Sequence, residues 1–182
     1  MRLPDPDTAG NGSLMRLAPV AVAHWNDPHT LAEVATRQSR TTHGAAEAVA
    51  ACVGFAEVLG DAIAGKARSE VLAPRRGPFA GKIAGILGGA WRGKRRSEIQ
   101  STGYVAHSLE AALWSVGRTS DYRSAVLLAS NLGGDADTTA AIAGQLAGAL
   151  YGVGGIPNKW LAKLAWRERI TNMASQLVSP TL

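Results

Sequence analysis

Apolar residues recur every three or four positions along most of the chain, while strict alternation of apolar and polar residues is almost absent, so the pattern predicts helices rather than strands. Residues 13–25 carry helical spacing interrupted at Pro19, and Asp27-Pro28 then offers an N-cap followed by proline at a first helical position, opening a helix through 31–39. Gly44 introduces a longer run rich in Ala and Val that reaches about Ala64, followed by loop chemistry at Gly65 and across 74–78. A short, glycine-laden segment covers 79–91. Residues 104–116 place Val105, Leu109, Ala112 and Leu113 on one side of a helix, and 122–132 do the same with Val126, Leu127 and Ala129. Gly144, Gly148 and Gly152 repeat every fourth position in the next helix, a spacing that admits a neighbouring backbone at close range. Pro157 opens a final helical region bearing Trp160, Trp166 and Ile170.

Composition sharpens this into an all-α expectation. The chain is 46% hydrophobic but only 5% aromatic and holds 21 glycines, which points to closely packed small-residue helices. Its 182 residues fit a single domain, 1–182, able to bury a real core. Cys52 is the only cysteine and sits in an apolar run, so it reads as a core thiol; a reducing, cytoplasmic setting is expected. No basic start leads into an apolar run, and no uninterrupted apolar stretch reaches the roughly 18 residues of a membrane span. The net charge of +5 draws on Arg92, Lys94, Arg95 and Arg96. With no interleaved aromatic residues, that cluster reads as a solvated loop and not a nucleic-acid surface.

Candidate chemistry concentrates in Asn131-Leu132-Gly133-Gly134-Asp135-Ala136-Asp137-Thr138-Thr139, which runs directly into the small-residue helix of 140–150. Asp135 stands where an N-cap belongs, and Asp137 and Thr138 fall in the first turn, where free N–H groups and the helix dipole favour anionic groups. Oxygen donors of this kind suit a hard cation such as Mg2+, though two carboxylates and a hydroxyl fill only part of an octahedral shell. The same residues also serve as an ordinary acidic first turn. Two further segments can meet a ligand: Asn11-Gly12-Ser13-Leu14-Met15-Arg16, a polar lead-in to a helix, and Ser39-Arg40-Thr41-Thr42-His43-Gly44, which gathers hydroxyls and an imidazole at a helix junction. An ordinary turn, a Ser cap and an exposed His describe them equally well.

Taken in order, these segments resemble the ADP-ribosylglycohydrolase family, which includes enzymes that reactivate dinitrogenase reductase. The resemblance runs almost end to end. It is carried by Gly10-Asn11-Gly12-Ser13-Leu14-Met15-Arg16 with Ala18-Pro19, by Ser39-Arg40-Thr41-Thr42-His43, by Gly103-Tyr104-Val105 with Leu109-Glu110-Ala111-Ala112-Leu113-Trp114, and by the segment from Asn131 through Asp135-Ala136-Asp137-Thr138 to Gly144. It implies an all-α fold with a binuclear Mg2+ centre that hydrolyses the glycosidic bond between ADP-ribose and a protein side chain, arginine foremost. By the same resemblance Asp135, Asp137 and Thr138 are metal ligands, and Asn11, Gly12, Ser13 and His43 line the ADP-ribose site.

The family pattern also holds an opening acidic portion with the catalytic acid and a Thr-Asp-Asp cluster, and neither has an equivalent in these 182 residues. Residues 1–9 are proline-broken, with only Asp5 and Asp7 acidic. The chain therefore reads as the C-terminal portion of such a domain, with no catalytic residue assigned, impaired hydrolysis when isolated, and an N-terminal fragment among its potential partners beside an ADP-ribosylated protein or an ADP-ribose-containing small molecule. The alternative is a non-catalytic ADP-ribose-binding or structural remnant of the same fold. Sugar-nucleotide transferases also use Asp-x-Asp, but set it at a strand end in an α/β sheet, whereas this context is helical.

Overall fold

Three small-residue helices meet at the centre of the molecule, and the remaining elements are arranged around them. The computed structural model describes residues 9–178. In chain order the helices are α1 (Gly12–Met15), α2 (Ala18–His24), α3 (Pro28–Arg40), α4 (Ala46–Ile63), α5 (Arg68–Val71), α6 (Lys82–Leu87), α7 (Val105–Gly117), α8 (Tyr122–Ser130), α9 (Ala136–Tyr151), α10 (Asn158–Leu161) and α11 (Arg167–Val178). Tighter 3-10 turns cover Arg96–Glu98 and Val153–Gly155. Among the described residues there is no strand, only one isolated antiparallel bridge between Gly10 and Tyr104, so the all-α expectation holds.

The central trio is α4, α7 and α9, with α2 and α3 laid on α4, and α8 on α7 and α9. Phe55 and Leu59 from α4, Val105 and Leu109 from α7, and Ile142 and Leu146 from α9 are essentially removed from water. Burying each such side chain contributes roughly 1.5–3 kcal/mol. Within α7 every residue from Val105 to Val116 except His107 is buried, so this helix is enclosed on all sides rather than on the single face its apolar spacing predicts. Cys52 lies in this core as a buried free thiol. No helix among the described residues is long and apolar enough to cross a membrane.

Helix boundaries follow local chemistry. Asp27 caps α3 by accepting from the backbone N–H groups of His29 and Thr30, both at 3.1 Å, with Pro28 at the first helical position. The break predicted at Pro19 falls instead at Arg16 and Leu17, because a proline in the first turn of α2 forfeits no helical hydrogen bond there. The final helical region is likewise two helices, α10 and α11, separated at Trp166, which adopts a left-handed φ of 56°.

Two further expectations are corrected. Gly144 and Gly148 make room for the Tyr122 ring of α8 and not for a backbone, while Gly152, at φ 69°, ends α9. The basic cluster is not simply solvated: Arg92 donates to the carbonyl of Leu72, Lys94 pairs with Glu110 at 2.6 Å, Arg95 pairs with Glu98 at 3.0 Å, and Arg96 donates to the carbonyl of Asn131. These residues brace the 92–98 loop against α7 and the segment leading into α9.

Candidate functional site

The approach to α9 is a tight backbone crossing. Gly134 takes φ 62°, and a Cβ there would lie 1.9 Å from the carbonyl oxygen of Ser101, so only glycine lets the two segments approach. The next N–H, that of Asp135, donates to the same carbonyl at 3.0 Å. The Asp135 carbonyl then accepts from the Thr139 N–H at 3.1 Å and starts α9. Below it, the hydroxyls of Ser101 and Thr139 bond at 2.8 Å inside the protein.

Asp135 occupies the N-cap position, yet its side chain makes no capping bond. Its Oδ2 instead accepts from the Asn11 amide at 2.6 Å, across 124 positions of sequence. Asn11 is buried and also donates to the Ser108 hydroxyl at 2.8 Å, which passes its own proton to the Thr102 carbonyl at 2.9 Å. The backbone of Asn11 is pinned to the same strip through its N–H to the Gly103 carbonyl at 3.0 Å. The Asn11 amide holds the Asp135 carboxyl below its ordinary value; hydrogen bonding with Thr138 and Asp137 adds to this, and partial burial opposes it. Asp135 is thus an anion with one oxygen occupied by Asn11, Thr138 is buried beside it, and Asp137 is exposed in the first turn.

The imidazole of His43 closes the other side. A Cβ on Gly10 would lie 3.1 Å from its Cδ2 and Nε2, and one on Gly12 would lie 2.9 Å from its Cε1, so the ring rests on a strip that glycine keeps bare. His43 is half-buried and not simply exposed; burial, then the Arg16 guanidinium, push its pKa down. Asn11, Gly12, His43 and Asp135 therefore form one neighbourhood. Ser13 does not face it: fully buried, it bonds to the Ser39 hydroxyl at 3.1 Å and lies 3.4 Å from the sulfur of Cys52. Helix periodicity is the reason, since residue 13 falls on the inward side of the one-turn α1. Gln145 of α9 fixes that turn from behind by donating to the carbonyls of Leu14 at 3.1 Å and Met15 at 2.9 Å.

The donor set is entirely oxygen, which fits a hard divalent cation in kind. In number it is incomplete, because among the described residues no group of three or more His, Cys, Asp or Glu side chains gathers at one point. Ser101, Ser108 and Gln145 carry no local signal: isolated polar residues in helical or loop context, they acquire a role only through contacts separated by tens of residues.

The ADP-ribosylglycohydrolase family model matches residues 2–181. Among curated proteins the chain is similar to "ADP-ribosylarginine hydrolase Tri1" of Pseudomonas putida (strain GB-1), 44% identical over 173 residues that make up 95% of this chain and 47% of that protein. It is also similar to the "ADP-ribosyl-[dinitrogen reductase] glycohydrolase" of Rhodospirillum rubrum, 33% identical over 86% of this chain and 51% of that protein. A solved structure titled "ADP-ribosylglycohydrolase-related protein complex" superposes with a TM-score of 0.88 at 42% identity, over 96% of this chain and 62% of that one. The chain spans about half the length of the curated relatives it matches.

Proposed function

Because the chain belongs to the ADP-ribosylglycohydrolase family, we propose that it supplies one side of a Mg2+-dependent site that cleaves the glycosidic bond between ADP-ribose and a protein side chain, arginine foremost. The observation that carries this reading is the 2.6 Å bond from Asn11 to Asp135, which joins two segments far apart in sequence into one polar face. Relatives named for ADP-ribosylarginine and for ADP-ribosylated dinitrogen reductase support the substrate class. A cytoplasmic location belongs to the same reading, supported by the single buried thiol of Cys52.

Asp135, Asp137 and Thr138 are the residues that would hold the metal. Once bound, Mg2+ supplies Lewis acidity and a template that orients sugar hydroxyls. The chain's own groups do the rest of the positioning. Asn11 keeps the Asp135 carboxylate ionised and aimed, and the Gly10–Gly12 strip lets the His43 ring pack close to the backbone beside it. His43 stands over that strip with a ring nitrogen. None of these is placed to protonate a leaving group, and no residue is assigned as the general acid.

The experiment is calorimetry of the 182-residue chain with ADP-ribose, with and without Mg2+, beside Asp135→Ala. Metal-coupled binding that Asp135→Ala abolishes is the expected outcome. Hydrolysis of ADP-ribosylated arginine by the isolated chain is expected to be weak or absent, because half an octahedral shell left to water lowers metal affinity sharply. Robust Mg2+-dependent release of ADP-ribose would overturn the impairment. The second reading, a non-catalytic remnant of the fold, is favoured by Ser13, which lies fully buried against Ser39 and turns away from the polar face. Silence toward ADP-ribose under both conditions would establish it.

A further inference from the structure

Behind His43 lies a chain of hydrogen bonds that begins at a guanidinium, a group with donors only. Arg16 donates from Nε to the Gln38 side-chain oxygen at 2.8 Å and from Nη2 to the Gln38 carbonyl at 3.0 Å, the Thr41 hydroxyl at 3.1 Å and the Thr42 hydroxyl at 2.6 Å. A guanidinium has donors only, so Thr42 Oγ1 accepts there. Thr41 spends its own proton on the Gln38 carbonyl at 2.7 Å, whereas the Thr42 proton remains free for His43 Nδ1, also at 2.7 Å. A hydroxyl polarised by a cationic donor is itself a stronger donor, which favours this direction over a proton on Nδ1. With Nδ1 accepting, the single proton of the neutral ring must reside on Nε2, the nitrogen that faces Gly10 and Gly12.

We propose that Arg16 and Thr42 are positioning residues that hold His43 as its Nε2–H tautomer, presenting one hydrogen-bond donor over the Gly10–Gly12 strip to an oxygen of the bound ligand. The relay stands on the geometry of the chain's own residues; the identity of the acceptor rests on the ADP-ribose reading above. The feature is compact. A charged guanidinium sits one hydroxyl away from the imidazole, steering its proton without itself approaching the ligand. Burial and then the Arg16 guanidinium lower the His43 pKa and so favour the neutral ring, the form in which the tautomer matters.

The test is a long-range 1H–15N correlation spectrum of the 15N-labelled full chain, recorded where imidazoles are neutral, with His43→Gln assigning the resonance among the four histidines. The wild-type ring is expected to carry its proton on Nε2. Thr42→Val is expected to lose that preference, and Thr42→Ser, which keeps the hydroxyl and reports on folding, to retain it. In parallel, ADP-ribose affinity measured with Mg2+ is expected to fall about three- to tenfold in Thr42→Val and to recover in Thr42→Ser. A wild-type Nδ1–H ring, or a tautomer unchanged by Thr42→Val, overturns the relay. An altered tautomer with unchanged affinity overturns the donor role. Should wild type show the Nε2–H ring yet bind no ADP-ribose, the relay stands and the ligand reading of the preceding section falls.

Discussion

A carboxylate can only accept hydrogen bonds, so the contact between Asn11 and Asp135 fixes the amide nitrogen of Asn11 against the acid and leaves its oxygen on the other side. The same reasoning applies to Tyr104, whose backbone bridges to Gly10 and whose hydroxyl donates to Glu47. Glu47 uses its second oxygen to accept the Lys82 N–H at 2.8 Å, while the Lys82 ammonium lies 5.3 Å from the centre of the Tyr104 ring. Burial first, then the bond and charge of Glu47, push the Tyr104 phenol up to about 12. A raised phenol favours the neutral form in the folded state. Its contribution to stability is therefore complete below the ordinary tyrosine value of 10 and disappears as pH rises through about 12. Glu47→Gln is expected to bring this titration part of the way back, because burial remains. Alkaline absorbance titration with Tyr104→Phe as the reference measures it, and an unmoved phenol in Glu47→Gln would show that the carboxylate plays no part.

At the scale of elements, the parts readable from sequence are those whose signals are local. The Asp27-Pro28 start of α3 and the apolar periods of α4, α7 and α8 are written in neighbouring residues, and each helix forms where they place it. The acidic start of α9 is also legible, but its geometry is not: the Asp135 side chain abandons the capping role for Asn11, a partner that only the folded chain delivers. Ser13 escapes for the opposite reason. Its neighbours Asn11 and Gly12 face the polar site, and a helix of one turn is too short for its inward side to be read from the apolar period before the fold is known. The glycine pair before α9 shows how tertiary contact divides residues with the same local propensity. Gly133 and Gly134 both have positive φ, 79° and 62°, but a Cβ on Gly133 meets nothing within 4 Å, whereas on Gly134 it strikes the Ser101 carbonyl. Gly133→Ala is expected to cost only the backbone strain of about 1–2 kcal/mol. Gly134→Ala must also force the 101 and 134 segments apart, and should lower the urea midpoint several-fold more; equal midpoints would refute a close crossing there.

Considered whole, the molecule is well sealed through its central trio and poorly sealed at its C-terminal end. Trp166, Ile170, Met173 and Leu177 are 76%, 48%, 56% and 42% exposed, and their spacing of four, three and four residues sets them along one face at and beyond the start of α11. None of the residues of α11 is buried. A continuous stripe of this kind exceeds the scattered apolar exposure that a stable monomer tolerates, and it stays largely open although α11 packs on α2. The isolated chain is therefore expected to bind an apolar dye such as anilinonaphthalene sulfonate in its native state. Replacing Ile170 and Met173 together by Glu should remove most of that signal while leaving the helical circular dichroism unchanged, because neither side chain supports the core. Were dye binding absent from the wild-type chain, the stripe would have to be covered in solution. Were it to persist undiminished in the double variant, the exposed surface would lie elsewhere, and α11 would have to be packed more tightly on α2 than the exposure of its residues implies.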